Sequence, residues 1–191
     1  MAPVTMPETA VDLATVSDGP PTELIDGEIV EMQPMGVYPV EIASMIHSSL
    51  DVFVRANGIG RSLSEALFRI DDANSYRPDV AFVSFGKWAK KLKTPNKEPW
   101  AVVPDLVVEV VSEHDKAWAV LAKVHRYFEI GARQAWLVYP SLEVIHVFRS
   151  STEIRVLTRV DEYDGGELIP GYKLSLESLF EGEEPAEMPD A

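Results

Sequence analysis

The run Asp105-Leu106-Val107-Val108-Glu109-Val110-Val111 admits few folds. Its aliphatic residues read as a strand buried on both faces, which calls for a central sheet with cover on each side. One carboxylate, Glu109, interrupts the apolar stretch. A charge in that setting is costly unless it is paired or meets a cation. The plainer alternatives are an edge strand, or an ion pair with Arg77 or Arg126. Alternation puts Asp105, Val107, Glu109 and Val111 on one face of the strand. A second apolar strand, residues 78–84, carries Asp79 at its mouth, where a turn or strand-entry aspartate would look the same. If the two strands are neighbours, both carboxylates converge at one end of the sheet, a hard-oxygen set that suits Mg²⁺ or Mn²⁺.

The rest of the chain supplies the elements such a sheet needs. Residues 22–25 and 28–32 flank Asp26-Gly27, a two-residue hairpin signal. From Pro39 to about Asn57, apolar residues recur at helical spacing, with Pro39 in the first turn and Gly58 just past the end. Residues 63–70 read as one strand. A second helix is expected over 115–130, ended by Gly131. A short strand follows at 135–138, and a hairpin at 143–148 and 154–157. The order helix, three strands, helix, strand, with hairpins before and after, predicts a mixed α/β domain around one central sheet flanked by helices. Residues 1–21 read as a flexible arm, 22–180 as one domain and 181–191 as an acidic disordered tail.

Charge and composition narrow the chemistry. The chain has no cysteine, so disulfides and thiolate metal sites are excluded. The four histidines, at 47, 114, 125 and 146, show no ligand spacing, which argues against zinc. There is no phosphate-cradling glycine loop and no Gly-x-Ser-x-Gly elbow. The first twenty residues lack the basic and apolar parts of a secretory signal, and no stretch is long enough to span a bilayer, so a cytoplasmic location is expected. The formal net charge is −14, but it is unevenly spread. Residues 55–133 carry thirteen bases against ten acids, and the basic excess surrounds the two strands. Five lysines lie in the loop 85–104; Lys87, Lys90, Lys91 and Lys93 are candidate contacts to a substrate backbone. Trp88 and Trp100 beside them offer rings for base stacking, whereas Trp136 reads as core. Lys123 falls on the second helix with Lys116 on the same face, so spacing does not decide between them. Glu65 and Glu41 are further acids within reach of such a site, although Glu41 in a first helical turn also serves the dipole.

Several of these segments occur together in a known order. Glu23-Leu24-Ile25-Asp26-Gly27-Glu28, Arg77-Pro78-Asp79-Val80, Pro104-Asp105-Leu106-Val107-Val108-Glu109-Val110, Gly131 ahead of Trp136-Leu137-Val138, and Ile169-Pro170-Gly171-Tyr172 with Leu179-Phe180 resemble the Uma-two family of the PD-(D/E)XK nuclease superfamily over residues 22–180. The resemblance implies a restriction-endonuclease-like core and a homodimer. It maps Asp79 and Glu109 onto the two metal-binding acids, with the Val110 carbonyl as a third oxygen donor. The superfamily lysine two residues after the second acid is replaced here by Val111, and Lys123 on the next helix matches the position that stands in for it. Glu65 matches a recurrent acid. Pro39, Ala119 and Tyr139 depart from the family pattern, which has a histidine and two aspartates there.

The expected activity is Mg²⁺- or Mn²⁺-dependent hydrolysis of DNA phosphodiesters, with Asp79, Glu109, Lys123 and Glu65 as site residues. RNA or a small phosphodiester is compatible with the same site. A contrasting reading is a catalytically weak nuclease fold acting as a dimeric interaction module, favoured by the acidic ends and the missing lysine at position 111.

Overall fold

Chain reversal at Asp26-Gly27 uses left-handed backbone at both residues, with φ of 51° and 83°. That pair of conformations is what a type I′ hairpin turn requires. The computed structural model describes residues 20–88, 99–112 and 115–181. In chain order its strands are β1 (Thr22–Ile25), β2 (Glu28–Glu31), β3 (Gly60–Ser64), β4 (Phe68–Arg69), β5 (Ser75–Tyr76), β6 (Val80–Ser84), β7 (Leu106–Val110), β8 (Gln134–Tyr139), β9 (Val144–Phe148), β10 (Ile154–Thr158), β11 (Glu162–Asp164) and β12 (Lys173–Ser175). The helices are α1 (Val37–Ala56), α2 (Ala117–Glu129) and α3 (Leu176–Glu181).

Six strands form the central sheet in the order β10-β9-β8-β7-β6-β3. All neighbours are antiparallel except β7 and β8, which run parallel and are joined through α2. Alternation along the strands sorts their side chains onto two covered faces. Val80, Phe82, Leu106, Val108, Trp136 and Val138 pack with Ile42, Ile46, Leu50 and Val54 of α1. Ala81, Val83, Val107, Ala135 and Leu137 pack with Val124 and Tyr127 of α2 on the other side. A sheet covered on both faces explains why β6 and β7 are almost continuously apolar. The mixed α/β architecture expected from the element order is the one observed.

Helix α1 starts just before Pro39, whose missing N–H costs nothing in the first turn. It ends at Gly58, with φ of 63°, and the Ile59 N–H donates to the Val54 carbonyl at 3.1 Å to close the last turn.

The strand expected over 63–70 is divided. β3 stops at Ser64, Glu65 adopts a left-handed φ of 49°, and β4 joins a second sheet of order β2-β1-β5-β4. The Glu65 N–H donates to the Asp79 carbonyl at 3.2 Å, and the Arg77 guanidinium donates to the Glu65 carbonyl. These bonds hold the chain as it leaves one sheet for the other. Hydrophobic alternation continues through such a change, so it could not reveal the break.

At Gly60 an added Cβ would overlap the Val83 carbonyl oxygen and the Phe82 ring across the β3–β6 ladder. Gly60→Ala is therefore expected to destabilise the fold by about 1–3 kcal/mol, read as a lowered thermal midpoint. An unchanged midpoint would show that the two strands can separate at no cost.

Candidate active site

In the β6–β7 ladder Val80 lies opposite Val108, so Asp79 and Glu109 are cross-strand neighbours one residue further on. Both stand at the end of the sheet where β6 begins and β7 finishes, on the face covered by α2. Asp79 is 7% exposed, and its Oδ2 accepts the Val110 N–H at 2.6 Å. Its Oδ1 has no hydrogen-bond partner among the described residues. The Glu109 Oε1 accepts the Tyr127 hydroxyl at 2.8 Å. Burial raises the Asp79 carboxyl to about 6, against the lowering effects of the Val110 N–H and Lys123, with Glu65 and Asp115 adding to the rise. Burial likewise raises Glu109 to about 8; Lys123 and Tyr127 oppose this, while Asp79 and Glu23 reinforce it. Burial, more than any neighbouring charge, opposes the ionisation of both acids.

The positive charge present is Lys123, one turn ahead of Tyr127 on α2 and therefore on the same face. Its Nζ lies 2.8 and 2.7 Å from the two carboxylate oxygens of Glu23 and 3.9 Å from Glu109 Oε2. It also sits 5.6 Å from the centre of the Tyr76 ring. Burial alone would lower the ammonium, but Glu109, Glu23 and Asp79 together carry it above its ordinary value. Lys123 is thus a cation at neutral pH. Lys116, its rival on sequence, is exposed at the start of the helix. Neither Arg77 nor Arg126 pairs with Glu109; Arg126 meets Asp71 and Glu129 instead.

Asp79, Glu109, Val110, Lys123 and Glu65 line one cleft of about 490 Å³. Val30, Met32 and Met35 of the hairpin and the approach to α1 also line it, together with Glu31 and Gln33. Pro20 and Pro21, expected to belong to the arm, line the same cleft, and the Pro21 carbonyl accepts the Met32 N–H at 2.8 Å. Glu41 is exposed on α1 and is not among the cleft residues. Val111 gives its N–H to the Val138 carbonyl at 2.8 Å, so that position is spent on the β7–β8 pairing. Ala119 lines a small recess beside Lys123, and Tyr139 packs 4.9 Å from the His146 ring.

Lys87, a candidate substrate contact, is tied to the protein itself in this structure. Its Nζ donates to the Gly131 carbonyl at 3.1 Å and pairs with Asp105 at 3.3 Å. Asp105 precedes β7, whereas Glu109 is near its end. The loop that joins two antiparallel strands necessarily leaves from the end opposite their free termini, here about 13 Å from Asp105 to Glu109 at 3.3 Å per residue. Lys90, Lys91 and Lys93 lie outside the described residues, as do residues 1–19 and 182–191. Trp100 is buried, stacked on Phe68 and edge-on to Trp88 at 4.6 Å, so it serves the core rather than base stacking.

Glu23, Tyr76 and Tyr127 were not singled out as site residues. Glu23 is buried and also accepts the Arg77 N–H at 2.8 Å. Its available signal was its place in the family-like hairpin motif; charge alone marks it as a surface position. Tyr127 reads in sequence as an apolar helix-face residue, which says nothing of its hydroxyl.

The side-chain oxygens that Asp79 and Glu109 offer here are carboxylate oxygens, and Val110 lines the same cleft. Among the described residues no three acidic or imidazole side chains converge as a closed metal cage. An open oxygen set fits a hard divalent ion that keeps several waters, and such an ion would offset the desolvation that opposes ionisation of Asp79 and Glu109.

Comparisons with known proteins bear on the family and the fold. A family model described as "Uma2: Putative restriction endonuclease" matches residues 7–177. No curated protein matches the chain. Among solved structures, the chain is similar to "a putative nuclease belonging to DUF820" from Anabaena variabilis ATCC 29413, with 21% identity and a TM-score of 0.74. That match covers 85% of this chain and 90% of the other. At such identity the likeness is one of fold. Among the described residues no helix is long and apolar enough to cross a membrane.

Proposed function

The chain belongs to the Uma2 restriction endonuclease family, and from that premise we propose that it is a divalent-metal-dependent endonuclease acting on DNA. The observation that carries the reading is the meeting of Asp79, Glu109 and Lys123 in one cleft, contributed by two neighbouring strands and the helix that follows them. Asp79, Glu109 and the Val110 carbonyl would hold Mg²⁺ or Mn²⁺, and the chemistry supplied there is charge that polarises a phosphoryl oxygen and acidifies water.

The chain's own groups divide the remaining work. The Val110 N–H fixes one oxygen of Asp79, a residue that lines the cleft. Tyr127 fixes Glu109 Oε1 in the same way. Lys123 stays protonated, so it cannot take a proton from water. Its role is to stabilise negative charge that grows on the phosphoryl oxygens as water attacks and the P–O bond to the leaving oxygen breaks. Glu65 lines the cleft beside Asp79, where its carboxylate can accept a hydrogen bond from an attacking water.

Nicking of supercoiled DNA in Mg²⁺ or Mn²⁺ tests the reading. The wild-type protein is expected to nick, and Asp79→Ala and Glu109→Ala are each expected to fall to background. Nicking that persists in both variants would overturn it.

A further inference from the structure

Lys123 lies between two carboxylates and is shared unequally. It makes contacts of 2.8 and 2.7 Å to Glu23, and a longer 3.9 Å approach to Glu109. Glu23 belongs to the N-terminal hairpin, a hundred residues away in sequence and in a different sheet from Glu109. Its side chain is only 5% exposed, and a buried carboxylate is retained only with partners that offset its desolvation. Those partners are Lys123 and the Arg77 N–H, two residues before Asp79. Glu23 is thereby anchored to the segment that carries one metal-site acid and to the lysine that would otherwise neutralise the other.

We propose that Glu23 is a positioning residue of the nuclease site, holding the Lys123 ammonium off Glu109 so that the Glu109 carboxylate stays open to a divalent cation. The inference rests on the metal-dependent reading above and adds a part that the hairpin must play. Without the Glu23 charge, the nearest carboxylate to the ammonium is Glu109. A direct Lys123–Glu109 pair and a cation on Glu109 exclude each other, because both draw on the same oxygens. Glu23 acts only through Lys123, so its effect must disappear when the lysine is absent.

Calorimetric titration of the full-length protein with Mn²⁺ tests this, alongside thermal midpoints and supercoiled-DNA nicking. The variants are Glu23→Gln, Lys123→Met and the double variant. Gln at position 23 can still accept the Arg77 N–H, which favours a folded variant. Glu23→Gln is expected to weaken Mn²⁺ binding by on the order of tenfold, a coupling typical of contacting charges. Lys123→Met is expected to bind Mn²⁺ at least as tightly as wild type, and adding Glu23→Gln to it should change the affinity less than about twofold. Unchanged Mn²⁺ affinity in Glu23→Gln, or an equal loss in both backgrounds, overturns the positioning role while leaving the nuclease reading intact. If Glu23→Gln does not fold, weakened Mn²⁺ binding in Lys123→Met alone overturns it. A wild-type protein that neither binds Mn²⁺ nor nicks DNA removes the nuclease reading and this inference with it.

Discussion

Glu109→Gln is expected to abolish DNA cleavage while raising the thermal midpoint of the metal-free protein at pH 8. The two effects have one cause. Burial raises the Glu109 carboxyl to about 8, even with Lys123 nearby, so the folded state holds this proton more tightly than the unfolded chain does. Where the folded protein binds more protons than the unfolded one, stability falls as pH rises. The contribution of the protonated group is complete below the unfolded value near 4.5 and is lost as pH climbs through about 8. A neutral glutamine can accept the Tyr127 hydroxyl without that penalty. The midpoint gain should be several degrees at pH 8, since roughly 2–4 °C accompanies each kcal/mol in a domain of this size. It should shrink toward pH 4.5. Scanning calorimetry from pH 5 to 9 measures it, and a variant less stable than wild type at pH 8 would refute the account.

Lys123→Met should do the opposite to stability and the same to cleavage. Removing the ammonium strands Glu23 and Glu109 in a poorly solvated setting, and breaking a buried pair from one side costs about 3–5 kcal/mol. The midpoint is then expected to drop by on the order of 10 °C. Nicking should fall about 10²- to 10³-fold, the usual consequence of losing one group that stabilises developing charge. Rates compared well below the midpoint of the variant separate this from unfolding. A variant that nicks at the wild-type rate there would leave Lys123 with a purely structural role.

Much of the fold was readable because local chemistry and global packing agree. The Asp26-Gly27 turn, the α1 stripe of Ile42, Ile46, Leu50 and Val54, and the apolar runs of β6 and β7 each carry their own periodicity. Glu109 was conspicuous because a charge inside a buried strand is rare. Asp79 gained weight only from its neighbour, and the ladder register now supplies that relation directly. What was hidden depends on contacts between distant segments. Glu23 looks like any hairpin acid until the hairpin docks on α2. Lys87 reads in sequence as one lysine of a basic loop, and only strand direction shows that its partner Asp105 stands at the other end of β7 from Glu109. Glu65 looks like mid-strand until its backbone turns left-handed and the chain changes sheets.

The parallel neighbours β7 and β8 have a bearing on when the protein can act during its own synthesis. Parallel strands cannot pair until the intervening crossover has been made, and here that crossover is the helix carrying Lys123 and Tyr127. A nascent chain that has produced β6 and β7 therefore holds both acids but lacks the lysine and the hydroxyl that organise them. Seating β8 beside β7 brings α2 over the sheet, so that pairing and the arming of the proposed nuclease are linked steps.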